Sequence, residues 1–218
     1  MSPEEYRQIW GELETFIDGM LTWMPGSSFS FQKLYSAVYK CCFLLEHERL
    51  YDDLRELVKT RLRQWSSALS DAGDAVFVAE FHETLDHFFH ALDAIVPVFI
   101  FMDKTYIKAK LHTDLETELR NLFTSLVADT HLTRLIRLME AAIVAASVPS
   151  STLATLCRHL YTLDPAYSSL QLGLFSSFLP SLGMTEEHQV EPYQASRPWV
   201  SEIEGLIKNK YTLSLFIK

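Results

Sequence analysis

The stretch Leu34-Tyr35-Ser36-Ala37-Val38-Tyr39-Lys40-Cys41-Cys42 indicates the fold class of this protein. Its apolar side chains return every three or four residues, which places them along one side of an α-helix and not on one side of a strand. The pattern continues in both directions and predicts a helix from about Ser30 to Leu45. The predicted apolar face of this helix consists of Phe31, Leu34, Tyr35, Val38, Tyr39 and Cys42.

The residues before this helix predict a longer amphipathic helix. Ser2 can cap it, Pro3 fits the first helical position, and Glu5 stands where a capping box has its carboxylate. An apolar stripe then continues for about five turns, and Pro25 and Gly26 end the pattern. The stripe consists of Tyr6, Ile9, Trp10, Leu13, Phe16, Ile17, Met20, Leu21 and Met24.

Three helical patterns follow the central stretch. The third helix is predicted from about Glu48 to Leu69, and residues 70–74 interrupt the pattern. The fourth reaches Pro97, which must end or kink it because proline lacks the amide donor and clashes with the preceding turn. A fifth helix then continues to about Leu111.

The second half of the chain carries further helical patterns. Thr113 is predicted to cap a sixth helix, with Glu116 three residues later, and a seventh helix covers about 132–143. Residues 147–151 predict a loop and a hinge between subdomains, since they contain a proline. Two shorter helices are predicted near 152–162 and 168–179.

The last part of the chain is more polar. Residues 183–198 contain two prolines and predict a linker, and a short helix is predicted near 200–209. Residues 211–217 alternate like a strand, but the sequence offers no evident partner strand. A docked extended tail and a frayed end therefore both stay open.

The composition is typical of a helical globular protein with a substantial core. Apolar residues make up 48% of the 218, and Gly and Pro number only 7 and 8. There are 19 basic and 28 acidic residues, which gives a net charge of −9. A negative surface repels phosphate backbones and anionic lipids, so we expect neither nucleic acid nor a membrane as a partner.

The three cysteines, Cys41, Cys42 and Cys157, lack the spacing of a disulfide framework or a zinc site. We expect buried free thiols in a reducing compartment, the cytoplasm or the nucleus. Residues 1–10 do not resemble a secretory signal, and the most apolar run, 94–102, is too short to cross a bilayer.

The sequence contains no catalytic or phosphate-binding motif, and we predict no catalytic residue, metal or cofactor. The histidine-rich stretch 82–90 does not have zinc-protease spacing, because His82 and His87 are about 140° apart around a helix. Glu83, His87 and His90 share a face and could hold a metal weakly. We favour a polar, solvated face opposite the apolar side of the helix, because no fourth ligand is suggested.

The aromatic residues Phe31, Tyr35 and Tyr39 could stack on nucleic-acid bases, but no basic residues are interleaved with them. A role in the core or in a protein interface is therefore favoured. Three lysines further along the chain predict a solvated face with partial pairing to nearby acids. They are Lys104, Lys108 and Lys110.

The quoted stretch resembles the second helix of a cullin N-terminal repeat, which reads L-Y-x-x-V-Y-x-x-C. Residues 101–107, FMDKTYI, resemble the cullin fifth-helix motif Y-L-N-R-x-Y/W-V, and Trp10, Leu13 and Ile17 are placed as in cullin first helices. The resemblance covers roughly residues 5–180. It implies an all-α, cullin-repeat-like stacked helical bundle of about one and a half to two repeats. The implied domains are a five-helix repeat at 1–111, a partial second repeat at 112–182, and a linker with a short tail at 183–218.

In cullins, the exposed sides of the second and fifth helices bind a ubiquitin-ligase adaptor of the BTB/Skp/elongin type. Carried over, the corresponding surface would consist of Phe31, Gln32, Tyr35, Met102, Asp103 and Tyr106. Tyr35 and Tyr106 could equally be core residues. Asp103 replaces the usual Asn, and the sequence lacks the part of a cullin that recruits the RING subunit and carries the Nedd8 lysine.

The resemblance implies a non-enzymatic regulatory scaffold that associates with a cyclin-dependent kinase and promotes cell-cycle progression. The alternative is a ubiquitin-pathway module that occupies a cullin adaptor. A structural subunit of a larger helical assembly, such as a tethering complex, is a third hypothesis, and the oligomeric state stays open.

Overall fold

The computed structural model of the protein describes residues 1–22 and 29–179, and every regular element among them is helical. The described residues lie in one compact unit, Met1–Gly183. The first four helices are α1 (Pro3–Leu21), α2 (Phe31–Phe43), α3 (His47–Asp71) and α4 (Asp74–Val98). The predicted linker, helix and strand-like segment after Gly183 lie outside the described residues, as does the predicted end of the first helix at Pro25 and Gly26.

The first two helices begin at serine caps. Ser2 Oγ accepts a hydrogen bond from the Glu5 amide at 3.1 Å, and Pro3 occupies the first turn. The Lys40 ammonium lies 2.6 Å from the Glu5 carboxylate and is the main cause of its lowered pKa. The serine half of the predicted capping box is therefore confirmed. Ser30 Oγ likewise accepts from the Lys33 amide at 3.4 Å.

Pro97 bends the chain as predicted. It lies in the last turn of α4, and the helix ends one residue later. A short α-helical turn, Ile100–Met102, then leads into a π-helix, Asp103–Leu111, and together these form α5. The axis turns by 69° between α4 and α5. Because of this turn, α5 packs against α2.

The predicted sixth and seventh helices are one continuous helical segment. After α6 (Leu115–Phe123) a π-helical stretch, Thr124–Ala128, leads directly into α7 (Asp129–Ala145). The predicted cap at Thr113 is wrong by one residue, since Asp114 Oδ1 accepts from the Thr117 amide at 2.9 Å. A carboxylate is the stronger acceptor for the amides of a first helical turn.

The remaining helices are short. They are α8 (Ser150–Leu163), α9 (Tyr167–Leu170) and α10 (Leu172–Phe178). The predicted single helix near 168–179 is therefore wrong, because Gln171 separates two pieces. The loop expected at 147–151 is shorter, since α8 begins at Ser150. Ala146, just before it, ends α7 in the left-handed conformation at φ 48°. The division of the chain into one complete and one partial repeat stays a prediction.

One continuous apolar core runs through the bundle, and α4 lies at its centre with buried side chains along its whole length. Phe88 of α4 stacks on Phe123 of α6 with ring centroids 4.4 Å apart, and both rings are buried. Among the described residues, no single helix has the length and hydropathy to cross a membrane, although α4 and α5 together reach that threshold as a bent pair.

Candidate protein-binding site

A line of aromatic side chains runs along α2. Phe31, Tyr35, Tyr39 and Phe43 are spaced four residues apart, so each lies one turn beyond the last. The ring centroids of Phe31 and Tyr35 are 6.1 Å apart, those of Tyr39 and Phe43 are 6.3 Å apart, and Phe101 of α5 lies 4.7 Å from Tyr39. We call these five residues the aromatic ridge.

The ridge becomes more exposed towards the C-terminal end of α2. Phe31, Tyr35 and Phe101 are half-buried, whereas Tyr39 is 36% and Phe43 71% exposed. Leu45, two residues beyond Phe43, is 79% exposed. Single exposed apolar side chains are ordinary, but a contiguous group of this kind usually marks an interaction surface.

The opposite side of α2 holds the ridge in place. Leu34, Val38, Cys41 and Cys42 are buried in the core. Salt bridges tie α2 to α1, since the Lys33 Nζ lies 2.9 Å from Glu12 and the Lys40 Nζ lies 2.6 Å from Glu5. The ridge therefore lies on a helix that is held by packing in the core and by charge pairing with α1.

The predicted site residues on α2 face outward to different degrees. Gln32 is exposed, and Phe31 and Tyr35 are half-buried and belong to the ridge. These three α2 residues do not form a compact patch with the site residues predicted on α5, because the side chains of the α5 residues face the core. Partner binding by Phe31, Gln32 and Tyr35 stays a prediction.

The predicted exposure of Met102 and Asp103 is wrong, and Tyr106 takes the core position that the sequence left open. Their exposed fractions are 0%, 4% and 8%. Asp103 Oδ1 accepts from the Leu115 amide at 2.8 Å, and its Oδ2 lies 2.9 Å from the Lys108 Nζ, which raises the pKa of that lysine. Asp103 therefore joins α5 to the start of α6 and is not available to a partner.

Tyr106 packs inside the bundle, with its ring 4.6 Å from His47 and 5.8 Å from Tyr51. The prediction carried this residue over from the cullin resemblance, which gives its place in a motif but not the direction in which its side chain faces. The outward side of α5 carries Lys104, Thr105 and Lys108 instead.

The sequence pattern does not predict Phe43, Leu45 and Phe101 as surface residues, and it places Tyr39 on the apolar face. One signal could have found part of this surface. Residues four apart drift by about 40° around a helix at each step, so the aromatic series that begins near the core at Phe31 must reach solvent by Phe43.

Comparison with known proteins agrees with the helical architecture. The family model described as the cullin alpha solenoid domain matches residues 10–170. The chain belongs to the cullin family. The resemblance that the sequence analysis found in α1, α2 and α5 is thereby confirmed, and so is the expected all-α stacked bundle.

This cullin-family chain is also similar in sequence to two individual proteins. It is 35% identical over 142 residues to the "CDK2-associated and cullin domain-containing protein 1" of Rattus norvegicus, covering 64% of this chain and 41% of that protein. It is 24% identical over 115 residues to Cullin-2 of Caenorhabditis elegans, covering 51% of this chain and 14% of that protein. The chain thus spans less than half the length of either relative.

The histidine-rich stretch of α4 does not assemble a metal site. Glu83 and His90 are exposed, whereas His87 is buried, so the predicted solvated face is wrong for His87. Its Nε2 donates to the Met20 carbonyl at 2.7 Å, and burial lowers its pKa. Within residues 1–22 and 29–179, no three His, Cys, Asp or Glu side chains are grouped so that they could hold a metal ion.

Proposed function

We propose that this cullin-family chain is a non-enzymatic scaffold that binds another protein through the aromatic ridge and Leu45. The observation that supports the proposal is the exposure of Tyr39, Phe43 and Leu45 on and just after a helix that packs in the core and is paired with α1. Rigid aromatic side chains contribute much of the free energy of protein association, because little conformational entropy is lost when they are covered.

The surroundings of the ridge favour a protein over a nucleic acid. The ridge rings pack on one another, and Lys33 and Lys40 beside them are already paired with Glu12 and Glu5. The net charge of −9 also opposes a phosphate backbone. The buried free thiols support the proposal that binding takes place in a reducing compartment, the cytoplasm or the nucleus.

The substitution Phe43→Asp tests the use of the ridge. The side chain is 71% exposed, so the change should leave the fold intact while placing a charge in an apolar contact. Val144→Asp is the matched control, because Val144 is an apolar helical residue that is 90% exposed on α7. We expect Phe43→Asp to weaken partner binding at least tenfold and Val144→Asp to leave it unchanged. Equal binding by both variants and the unsubstituted chain would count against the ridge.

The first candidate partner is a cyclin-dependent kinase. Its support is the relative in Rattus norvegicus, whose name describes it as CDK2-associated. We propose that this chain binds such a kinase and thereby promotes cell-cycle progression. Purified kinase–cyclin complex should be retained by the immobilised chain at micromolar concentration. No retention at that concentration would argue strongly against a kinase partner.

A BTB/Skp/elongin-type adaptor is the second candidate partner. The ridge lies on α2 and α5, the two helices through which the cullin resemblance implies adaptor binding. The double substitution Phe31→Asp with Phe43→Asp should abolish adaptor binding while circular dichroism shows an unchanged helix content. Normal adaptor binding by the double variant would exclude binding through the ridge. Comparing retention of the adaptor and of the kinase–cyclin complex by the unsubstituted chain decides between the two partners.

A further inference from the structure

A histidine lies in the contact between α8 and α4. The ring of His159 on α8 packs on Phe89 of α4 with centroids 4.7 Å apart. Its Nδ1 is buried and has no hydrogen-bond partner among the described residues. A neutral imidazole can occupy such a position at moderate cost, but an imidazolium there would be a buried charge with an unsatisfied donor.

The charged groups around His159 do not compensate that cost. From α4 it faces Asp86, His82 and His90, and from α8 it faces Arg158. Asp86 favours the protonated form, whereas the other three oppose it. α10 has no ionisable side chain.

The other element packed against α8 supplies no counter-charge. On α9, the Tyr167 hydroxyl donates to Asp129 of α7 at 2.6 Å. Among these groups only Asp86 favours a proton on His159.

We propose that the docking of α8 on α4 is proton-sensitive: α8 separates from α4 when His159 takes up a proton. The ring of His159 lies tilted against Phe89 in this interface, and the buried apolar side chains of α8 share one face of the helix. They are Leu153, Leu156, Cys157 and Leu160, and all are buried. Separation of α8 would expose them together.

The direction and the pH range of the effect follow from the titration of His159. Burial, the largest cause, lowers its pKa from 6.5 to about 4 in the folded protein. The docked state therefore binds the proton more weakly than the open state. The stabilisation of docking by neutral His159 is fully present above pH 6.5 and is lost as the pH falls towards 4. Between pH 7.5 and 5.0 these values allow the opening equilibrium to increase by at most about 30-fold. We expect roughly tenfold, since the side chain is only half-buried and solvent screens part of the cost.

Cys157 provides a direct readout, because it is buried on the face of α8 that opening would expose. The chain is labelled at pH 7.5 and 5.0 with a pyridyl disulfide, which reacts with thiols at acid pH, and modified cysteines are located by peptide mass spectrometry. Cys41 and Cys42, buried on α2, report general loosening of the bundle. The labelling rate of each cysteine is divided by its rate in the unfolded chain at the same pH. From pH 7.5 to 5.0 this ratio should increase about tenfold more for Cys157 than for Cys42.

Three variants complete the experiment. His159→Phe keeps an aromatic ring against Phe89 but cannot titrate, and His159→Gln is a second neutral replacement if the first packs poorly. Both should make Cys157 labelling independent of pH. His90→Gln, a control on an exposed histidine, should keep most of the increase. The proposal is overturned if the neutral variants retain the full increase, if Cys42 responds as strongly as Cys157, or if Cys157 does not respond at all.

Discussion

The replacement of Leu45 by glycine is expected to make the fold more stable and partner binding weaker. Leu45 has φ 63°, a left-handed conformation in which its amide donates to the Cys42 carbonyl at 3.2 Å and the Glu46 amide donates to the Cys41 carbonyl at 2.9 Å. This conformation costs an L-residue about 1–2 kcal/mol. An exposed leucine in a strained position is unfavourable for the isolated chain, as expected if Leu45 contacts a partner.

The magnitude follows from three opposing contributions. Glycine removes the strain of about 1–2 kcal/mol, but it stabilises the unfolded chain by about 0.4–1 kcal/mol through added freedom. Leu45 is 79% exposed, so the lost burial is about a fifth of the ~1.5–3 kcal/mol for a fully buried leucine. The net stabilisation is about 0.5 kcal/mol, or a rise in melting temperature of about 1–2 °C.

The binding effect has the opposite sign. If Leu45 contacts the partner together with Phe43, its removal should cost about 1–2 kcal/mol, or roughly a tenfold increase in Kd. Ala146→Gly is the control, since Ala146 ends α7 with φ 48° and should show a similar stabilisation with unchanged Kd. Urea unfolding and titration calorimetry measure the two quantities. A destabilised Leu45→Gly variant would refute the strain argument, and an unchanged Kd would remove Leu45 from the binding site.

Other residues give independent tests of the structure. Asp103→Ala should lower the free energy of unfolding by about 2 kcal/mol, because the Leu115 amide loses a buried charged acceptor. Asp103→Asn keeps an acceptor and should lower this free energy clearly less in the same urea titration. Phe123→Ala should cost about 3–5 kcal/mol, since the ring is fully buried against the aromatic core; a loss below 1 kcal/mol in calorimetry would contradict the packing. Burial raises the pKa of the Cys41 and Cys42 thiols to about 11 and about 12. Both thiols should therefore resist a thiol reagent at pH 8 and react only when the chain unfolds. Rapid labelling of the native protein would contradict their burial.

The helices of this chain could be predicted because their apolar residues repeat regularly and their ends carry strong local signals. Ser2 and Pro97 act through the backbone, by supplying an acceptor and by removing a donor, so their effects hold wherever the segment packs. The continuity of α6 and α7 could not be predicted in this way. Thr124–Ala128 adopts π-helical hydrogen bonding, which shifts the register of the following residues relative to a regular helix.

The candidate site was only partly predictable because aromatic residues look alike in a core and on a surface. Tyr106 and Tyr39 both occur at helical spacing near other aromatic residues, yet Tyr106 is buried and Tyr39 is exposed. Which of the two reaches solvent depends on how α5 lies on α2, and that follows from the bend at Pro97 and from the contact of Asp103 with α6. Pro97 signals that the chain bends, but neither the angle of the bend nor the contact of Asp103 with α6 has a local signature in the sequence.

The 69° bend after Pro97 also affects the order in which the surface forms during synthesis on the ribosome. The aromatic residues of α2 leave the ribosome well before Phe101, which meets Tyr39 only after α3 and α4 have been made and the chain has reversed direction. A nascent or truncated chain that ends before Pro97 presents these rings without their neighbour on α5. The complete surface is therefore a property of the assembled bundle, and a segment containing α2 alone is not a substitute for it in a binding experiment.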